Sequence, residues 1–401
     1  MKTMAVICEY NPFHNGHAYQ ISRHRAKYGI DCVIAVMSGN FVQRGAPAVC
    51  DKWVRAEMAL YGGCDLILEL PAVYALQSAE RFASGAVRLI TQLHKIDYLS
   101  FGSECGDIGP LQTVARVLRQ PDFPSVVAKD LKTGVSYPTA RINTLCQALG
   151  ESYRSILSEP NNILAIEYLK VLSEENSAII PITIKRTVAH HHSEVENQFC
   201  SAGCLRTLIH QRSDISALMS PEAYWVYKKA ERSGKAPVTN KALDVIIPYL
   251  LRTATPEELL RLPDMTEGLE RRFIEGGRTG NTLQGIAEFI KSKRYTRTRI
   301  DRMLIHLLLG ITKDDIKIPP SYVRVLGMNK TGAAYLKTLK HSCSLPVITK
   351  TANLPDFSPE GKRMFELDCK ATDIYALLYP NSNKNRAGLD YITSPIVKMG
   401  L

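Results

Sequence analysis

The stretch Thr3-Met4-Ala5-Val6-Ile7-Cys8-Glu9-Tyr10-Asn11-Pro12-Phe13-His14-Asn15-Gly16-His17 decides how this chain folds. Thr3 to Cys8 is a short apolar run of the length expected for a strand buried on both faces. Glu9 to Pro12 supplies a tight turn, and a helix is predicted from about His17 to Tyr28. Strand, turn and helix in that order begin a βαβ unit. The pattern continues with strands at Cys32 to Met37, Cys64 to Glu69 and Tyr98 to Phe101, and with helices at Asp51 to Tyr61 and Ser78 to Leu93. Asp51 is placed to cap the second helix at its start, and Gly62-Gly63 to close it. The fold class implied is α/β, a Rossmann-like parallel sheet covered by helices on both faces.

Farther along, Pro160-Asn161-Asn162 precedes an apolar stripe at helical spacing through Ile163, Leu164, Ile166, Leu169 and Leu172. A helix is predicted there, inside a helical insertion over about 109–176 that delays the fifth strand to Ile179 to Lys185. The expected organisation is a catalytic domain over 1–212, a helical domain over 213–318, and a small C-terminal α/β domain over 319–401. In the last, Val323, Val325 and Leu326 suggest a strand, Thr331 to Leu339 a helix and Val347-Ile348 a second strand.

With 45% hydrophobic and 22% charged residues, the composition is that of a globular protein. No apolar run approaches the roughly 20 residues of a membrane-spanning helix, and Met4 to Cys8 is too short for a signal peptide, so no membrane partner and a cytoplasmic location are expected. Ten scattered cysteines read as reduced thiols rather than a disulfide framework. Cys200 and Cys204 lie downstream of His190-His191-His192, but one close pair is a poor zinc site and no metal ligands are assigned. The net charge of +11 allows a polyanionic partner.

The turn after the first strand carries the chemistry. A helix opening near Gly16 brings backbone N–H groups and the positive end of its dipole to the carboxyl end of a parallel strand, where anionic nucleotides bind. His14 and His17 are three residues apart, so one turn of helix directs both imidazoles to one point. In nucleotidyl transfer an oxygen nucleophile attacks the α-phosphorus and pyrophosphate leaves, and fixed donors stabilise the charge that develops. Gly16 keeps the backbone free to approach the phosphates. His14 and His17 are therefore the candidate catalytic residues.

These residues, together with a series of later blocks, resemble the tRNA(Met) cytidine acetate ligase family, a branch of the His-x-Gly-His nucleotidyltransferases. The blocks are Phe41-Val42-Gln43-Arg44-Gly45 with Pro47-Ala48, Asp51-Lys52, Gly63-Cys64-Asp65-Leu66, Glu69-Leu70-Pro71, Gly102-Ser103-Glu104, Pro160 to Leu164, Lys185-Arg186 and Lys293 to Arg297. The resemblance implies an AMP-forming ligase that activates acetate with ATP as acetyl-adenylate. The acetyl group then passes to N4 of the wobble cytidine of elongator tRNA(Met). It implies ATP along Ile7, Cys8, Glu9, Tyr10, Asn11, Pro12, Phe13, His14, Asn15, Gly16, His17, Ala18, Tyr19 and Gln20, with further contacts from Gly102, Asn162, Arg186 and Thr187. Asn162 is also a good helix N-cap. Mg²⁺ is expected to arrive with ATP, held mostly by phosphates and water. Where the class carries Ser-Ser-Thr-x-x-Arg or Ser-Ala-Thr-x-Ile-Arg, this chain has Ser201-Ala202-Gly203-Cys204-Leu205-Arg206. Gly203 lacks the hydroxyl and keeps a backbone N–H at an expected helix start.

Between Arg271 and Arg302 nine basic residues face three acidic ones, a net +6. Lys291, Lys293, Arg294, Arg297 and Arg299 are the candidate tRNA contacts, against the alternative of a solvated helix face with local ion pairs. Two other functions stay open on the sequence: a small-molecule adenylyltransferase of cofactor biosynthesis, which shares the opening motif, and a catalytically idle RNA-binding relative. The sequence leaves the oligomeric state and the determinants of tRNA choice unread.

Overall fold

The computed structural model describes residues 1–93, 95–186, 199–351, 354 and 356–400. Among the described residues ten strands form: β1 (Thr3–Cys8), β2 (Cys32–Ser38), β3 (Phe41–Val42), β4 (Ala46–Pro47), β5 (Leu66–Leu70), β6 (Tyr98–Ser103), β7 (Ile180–Lys185), β8 (Val323–Asn329), β9 (Val347–Ile348) and β10 (Ile396–Lys398). Eight of them make one sheet in the order β10-β8-β5-β2-β1-β6-β7, with β9 beside β8. From β5 through β7 all pairs are parallel, in a register that sets Ile7 opposite Val36 and Val6 opposite Ser100. β3 and β4 form a separate antiparallel hairpin.

Every residue of β2 and β5 is buried, as a parallel strand covered on both faces requires. Alternation divides their side chains between two cores. Ile34, Val36, Leu66 and Leu68 pack with the helices Ala79–Thr91 and Pro160–Glu174. Val33, Ala35, Met37 and Ile67 pack with Asn15–Tyr28 and Lys52–Tyr61. Asp51 caps the last of these, accepting from the Val54 amide at 2.9 Å, and Gly62 closes it.

The C-terminal segment is not the separate small domain expected over 319–401. Its strand β8 pairs antiparallel with β5 and extends the central sheet. The physical reason is a buried charge cluster that the spacing of residues along the chain does not reveal. Lys52 Nζ lies 2.8 Å from Glu69 Oε1 and 2.8 Å from Asp390 Oδ1. Arg324, on β8, reaches the same Asp390 oxygen at 2.7 Å and Glu69 Oε2 at 3.4 Å. Two cations and two carboxylates thus neutralise one another out of water, and breaking such a set is more costly than forming it is favourable. Nearby, Asp368 of the helix Pro359–Ala376 accepts from Tyr322 Oη at 2.5 Å and from the Ala72 amide at 2.7 Å, a second clasp between the segment and the sheet.

Lys52→Met, which leaves Glu69 and Asp390 with Arg324 alone, is expected to cost about 3–5 kcal/mol of stability. Chemical denaturation measures it, and a loss below about 1 kcal/mol would remove the cluster from this role.

Candidate active site

The first helix starts two residues earlier than the spacing predicts, because His14 is its N-cap. His14 Nδ1 accepts from the Gly16 amide at 3.0 Å, and His17 Nδ1 accepts from the His14 amide at 3.2 Å. The two imidazoles therefore perform the reciprocal capping that Ser and Glu usually supply. Since each Nδ1 is an acceptor, each proton resides on Nε2. The ring centroids lie 3.8 Å apart with the planes tilted by 31°, close enough that two imidazoliums would repel. Burial, followed by the nearby Arg186 and Arg206 guanidiniums, holds His14 down to about 3. Burial, then His14 and Arg186, likewise holds His17 well below the ordinary histidine value. Both are neutral Nε2–H donors at physiological pH.

The turn before them is fixed from three sides. The buried Arg55 guanidinium donates to the carbonyls of Glu9 at 2.6 Å, Ser38 at 3.0 Å, Cys50 at 2.9 Å and also Gly39, so carbonyl dipoles stand where a carboxylate partner would otherwise be needed. Asn11 Oδ1 accepts from the Val49 amide at 2.8 Å, and the Asn11 carbonyl accepts from Arg206 Nη1 at 2.9 Å. Phe13 fills the space above Gly62, where a Cβ would lie 2.1 Å from its ring.

A cleft of about 890 Å³ opens over the carboxyl ends of β1 and β6. Of the residues expected at ATP, Ile7, Cys8, Glu9, Tyr10, Asn11, His14, His17, Gln20, Gly102 and Arg186 line it. Gly102 lies flush with the wall, and a Cβ there would press on Arg186 Cγ at 3.1 Å. Pro12, Phe13, Asn15, Gly16, Ala18, Tyr19 and Asn162 support the wall without lining it. Tyr19, for instance, meets Phe199 edge to face, and Asn15 Nδ2 donates to the Ala217 carbonyl at 2.9 Å.

Asn162 does not act as a helix cap. The helix begins at Pro160, and the Glu104 carboxylate takes its first amides, from Asn161 at 3.3 Å and Asn162 at 2.9 Å. The Asn162 side chain is buried and accepts from the Glu104 and Cys105 amides at 2.9 and 3.2 Å, so it braces the loop after β6. Thr187 and His190-His191-His192 lie outside the described residues.

The altered motif does open a helix, Ala202–His210, capped by Ser201 Oγ accepting from the Cys204 amide at 3.1 Å. Ala202, Gly203 and Arg206 line the cleft, so its wall carries amides at a helix start and a guanidinium. The sequence reading assigned no role to Gln43, Arg44, Glu104, Asn161, Thr298 or to Arg302 as a cleft residue. Gln43 and Arg44 belong to the segment Phe41 to Gly45, and Arg302 ends the basic segment that begins at Arg271.

The fold and the paired histidines define a nucleotidyltransferase of the His-x-Gly-His class, and residues 1–390 match the HIGH Nucleotidyl Transferase family. The chain is 41% identical to the tRNA(Met) cytidine acetate ligase of Caldanaerobacter subterraneus subsp. tengcongensis over 100% of both chains. It is 37% identical to that of Syntrophomonas wolfei subsp. wolfei over 99% of both. Crystal structures of Thermotoga maritima TmcAL superpose over the full length of both chains at 31% identity, with TM-score 0.95 for the apo form and 0.93 for the form bound with alpha-thio ATP. This chain belongs to the tRNA(Met) cytidine acetate ligase family.

The histidine environment has a consequence for acid stability. His14 titrates near 6.5 when unfolded and about 3 when folded, so below 6.5 the unfolded chain binds a proton that the native one does not. The stability His14 contributes is complete above about 6.5 and is lost as pH falls toward 3. His14→Gln is expected to remove roughly 2 kcal/mol of the wild-type loss between pH 7 and pH 5. Denaturant titrations at the two pH values check this, and identical losses in both proteins would contradict it.

Proposed function

We propose that this chain activates acetate with ATP as acetyl-adenylate and transfers the acetyl group to N4 of the wobble cytidine of elongator tRNA(Met), making N4-acetylcytidine. The observation that carries the reading is the closely apposed, neutral His14–His17 pair at the carboxyl end of β1, in a chain alike to the ligases from end to end. A carboxylate oxygen of acetate attacks the α-phosphorus, the bond to the β-phosphate oxygen breaks, and pyrophosphate departs with the electron pair. Negative charge on the non-bridging and leaving oxygens meets the Nε2–H donors of His14 and His17, the guanidiniums of Arg186 and Arg206, and the amides at Ala202 and Gly203. In the second step the cytidine amine forms a bond to the acetyl carbon and loses a proton, and AMP leaves with the electrons of the acyl–oxygen bond.

Among the described residues no group of three or more His, Cys, Asp or Glu could hold a metal ion. Of the carboxylates lining the cleft, Glu104 is engaged by a helix start and Glu9 Oε1 accepts from the Gln43 amide at 3.0 Å. This donor set fits Mg²⁺ carried on the ATP phosphates, with Glu9 and Glu159, which also lines the cleft, as the available protein ligands, and the ion would supply further neutralisation of phosphate charge.

The tRNA surface is narrower than the sequence count. Arg297 is held by Asp301 at 2.8 Å and Glu288 at 2.8 Å, Arg299 donates to the Asp264 carbonyl at 2.5 Å, and Lys291 lies 3.5 Å from Glu288. Lys293 and Arg294 are exposed and have no ion pair among the described residues. We assign the phosphate contacts chiefly to these two. None of the described helices is long and apolar enough to cross a membrane, and a tRNA substrate agrees with a cytoplasmic place of work. A cofactor-forming adenylyltransferase would leave the basic segment without a purpose, and an idle relative would not need two neutral imidazoles aimed at one point.

Incubation with ATP, labelled acetate and unmodified tRNA(Met), followed by nucleoside analysis, is expected to give acetylated cytidine. Acetate-dependent exchange of pyrophosphate into ATP should occur without RNA, and exchange indifferent to acetate would overturn the reading. Lys293→Ala with Arg294→Ala should weaken tRNA binding roughly tenfold and reduce the slope of log affinity against log salt by about two. An unchanged slope would take the patch out of RNA binding.

A further inference from the structure

The cleft has lining residues that the adenylylation chemistry does not use. Beyond Glu9 its wall is built from the β3–β4 hairpin and the helix Arg297–Leu309, which present Gln43, Arg44, Thr298 and Arg302. This wall is tied to the histidine turn. The Gln43 amide donates to Glu9 Oε1 at 3.0 Å, and Gly45, at φ +74, sits so close to the helix that a Cβ would fall 2.3 Å from the Arg302 nitrogen. Thr298 and Arg302 are one turn apart and share a helix face.

Arg302 is the unusual member. Its Nε is buried and has no hydrogen-bond partner, and the side chain has no ion pair within 4.0 Å among the described residues. The carboxylates nearest in charge are committed elsewhere, Asp264 to Arg81 at 3.2 Å and Asp301 to Arg297 at 2.8 Å. A guanidinium in that position has donors to spare and a cleft in front of it. Ala79 and Phe82, from the neighbouring helix, add an apolar surface to the same cleft.

We propose that Arg302, with Thr298 and Arg44, forms the acceptor-nucleotide subsite, and that its donor-only guanidinium reads the O2 and N3 acceptors of a cytosine. This rests on the acetyl-transfer reading above and deepens it. Cytosine presents two acceptors beside the amine that must stay free to attack. Uracil presents an N3–H at the matching position, which a guanidinium cannot accept. The exposed Lys293 and Arg294 lie just before the same helix, so a strand held there by its phosphates can lead a loop base inward along Thr298 and Arg302. The wall has more donors than a two-carbon carboxylate would engage, which favours a nucleotide over acetate as its occupant.

The test uses full-length Arg302→Met and Arg302→Lys. Acetate-dependent pyrophosphate exchange, which needs no RNA, should stay within about twofold of wild type in both and also reports correct folding. Acetyl transfer at saturating tRNA should fall roughly tenfold or more in Arg302→Met and recover in part in Arg302→Lys. Wild type should bind an anticodon stem-loop with cytidine at the acceptor position roughly tenfold more tightly than one with uridine, and Arg302→Met should lose that preference. A raised acetate KM in the exchange assay would assign the guanidinium to the carboxylate and overturn the proposal, as would unchanged transfer and preference. A wild-type protein lacking acetate-dependent exchange would defeat the acetate reading instead, and the stem-loop comparison would still decide this subsite.

Discussion

Helix ends leave backbone donors that need partners, and at the first helix of this chain the partners are its own two histidines. His14 and His17 each spend Nδ1 on an amide, and everything about the site follows from that expenditure. It fixes the proton on Nε2 and sets the two rings side by side at a tilt of 31°, while burial holds both groups neutral beside the positive end of a helix dipole. A protonated pair would bind phosphate more strongly in the ground state. Neutral donors held in place by the backbone need no rearrangement as charge develops, which is the property that speeds a reaction rather than merely binding its substrate.

Holding that turn still takes much of the rest of the chain. Arg55 gathers carbonyls from the ends of β1 and β2 and the loop beyond, and Arg206 reaches across from a helix nearly two hundred residues later to the Asn11 carbonyl. The quartet of Lys52, Glu69, Arg324 and Asp390 lies behind it and anchors the last strands to the sheet edge. Tyr379 Oη donates to Asp51 at 2.8 Å and Tyr375 Oη to the Ala48 carbonyl at 2.7 Å, so the C-terminal segment also clamps the start of the second helix. These last residues therefore brace the catalytic sheet.

The local elements were legible because the signals for them are local. β1 begins and ends where the apolar run does, Asp51 caps its helix, and the helix at Pro160 starts at its proline. The histidine pair was legible for the same reason, since three-residue spacing at a helix start is a short-range pattern. What could not be read was tertiary. Nothing near Val323 says that β8 will pair with β5, because the deciding partners, Glu69 and Asp390, are hundreds of residues apart in sequence. Charge counting likewise summed Arg297, Arg299 and Arg302 as one basic surface, whereas two are internally engaged and the third turns into the cleft. Asn162 shows the subtler case: the right residue type at a helix start, displaced from capping by a carboxylate that arrives from the loop after β6.

The central claim is that two neutral imidazoles, locked as Nε2–H donors by reciprocal capping, face the transferred phosphate. Nitrogen-15 NMR of the histidine rings tests it most directly, because the two ring nitrogens report protonation and tautomer separately. The account requires His14 and His17 to appear as neutral Nε2–H tautomers at pH 7 and to remain so at pH 5. An imidazolium at either position at pH 7, or a proton on Nδ1, would contradict it.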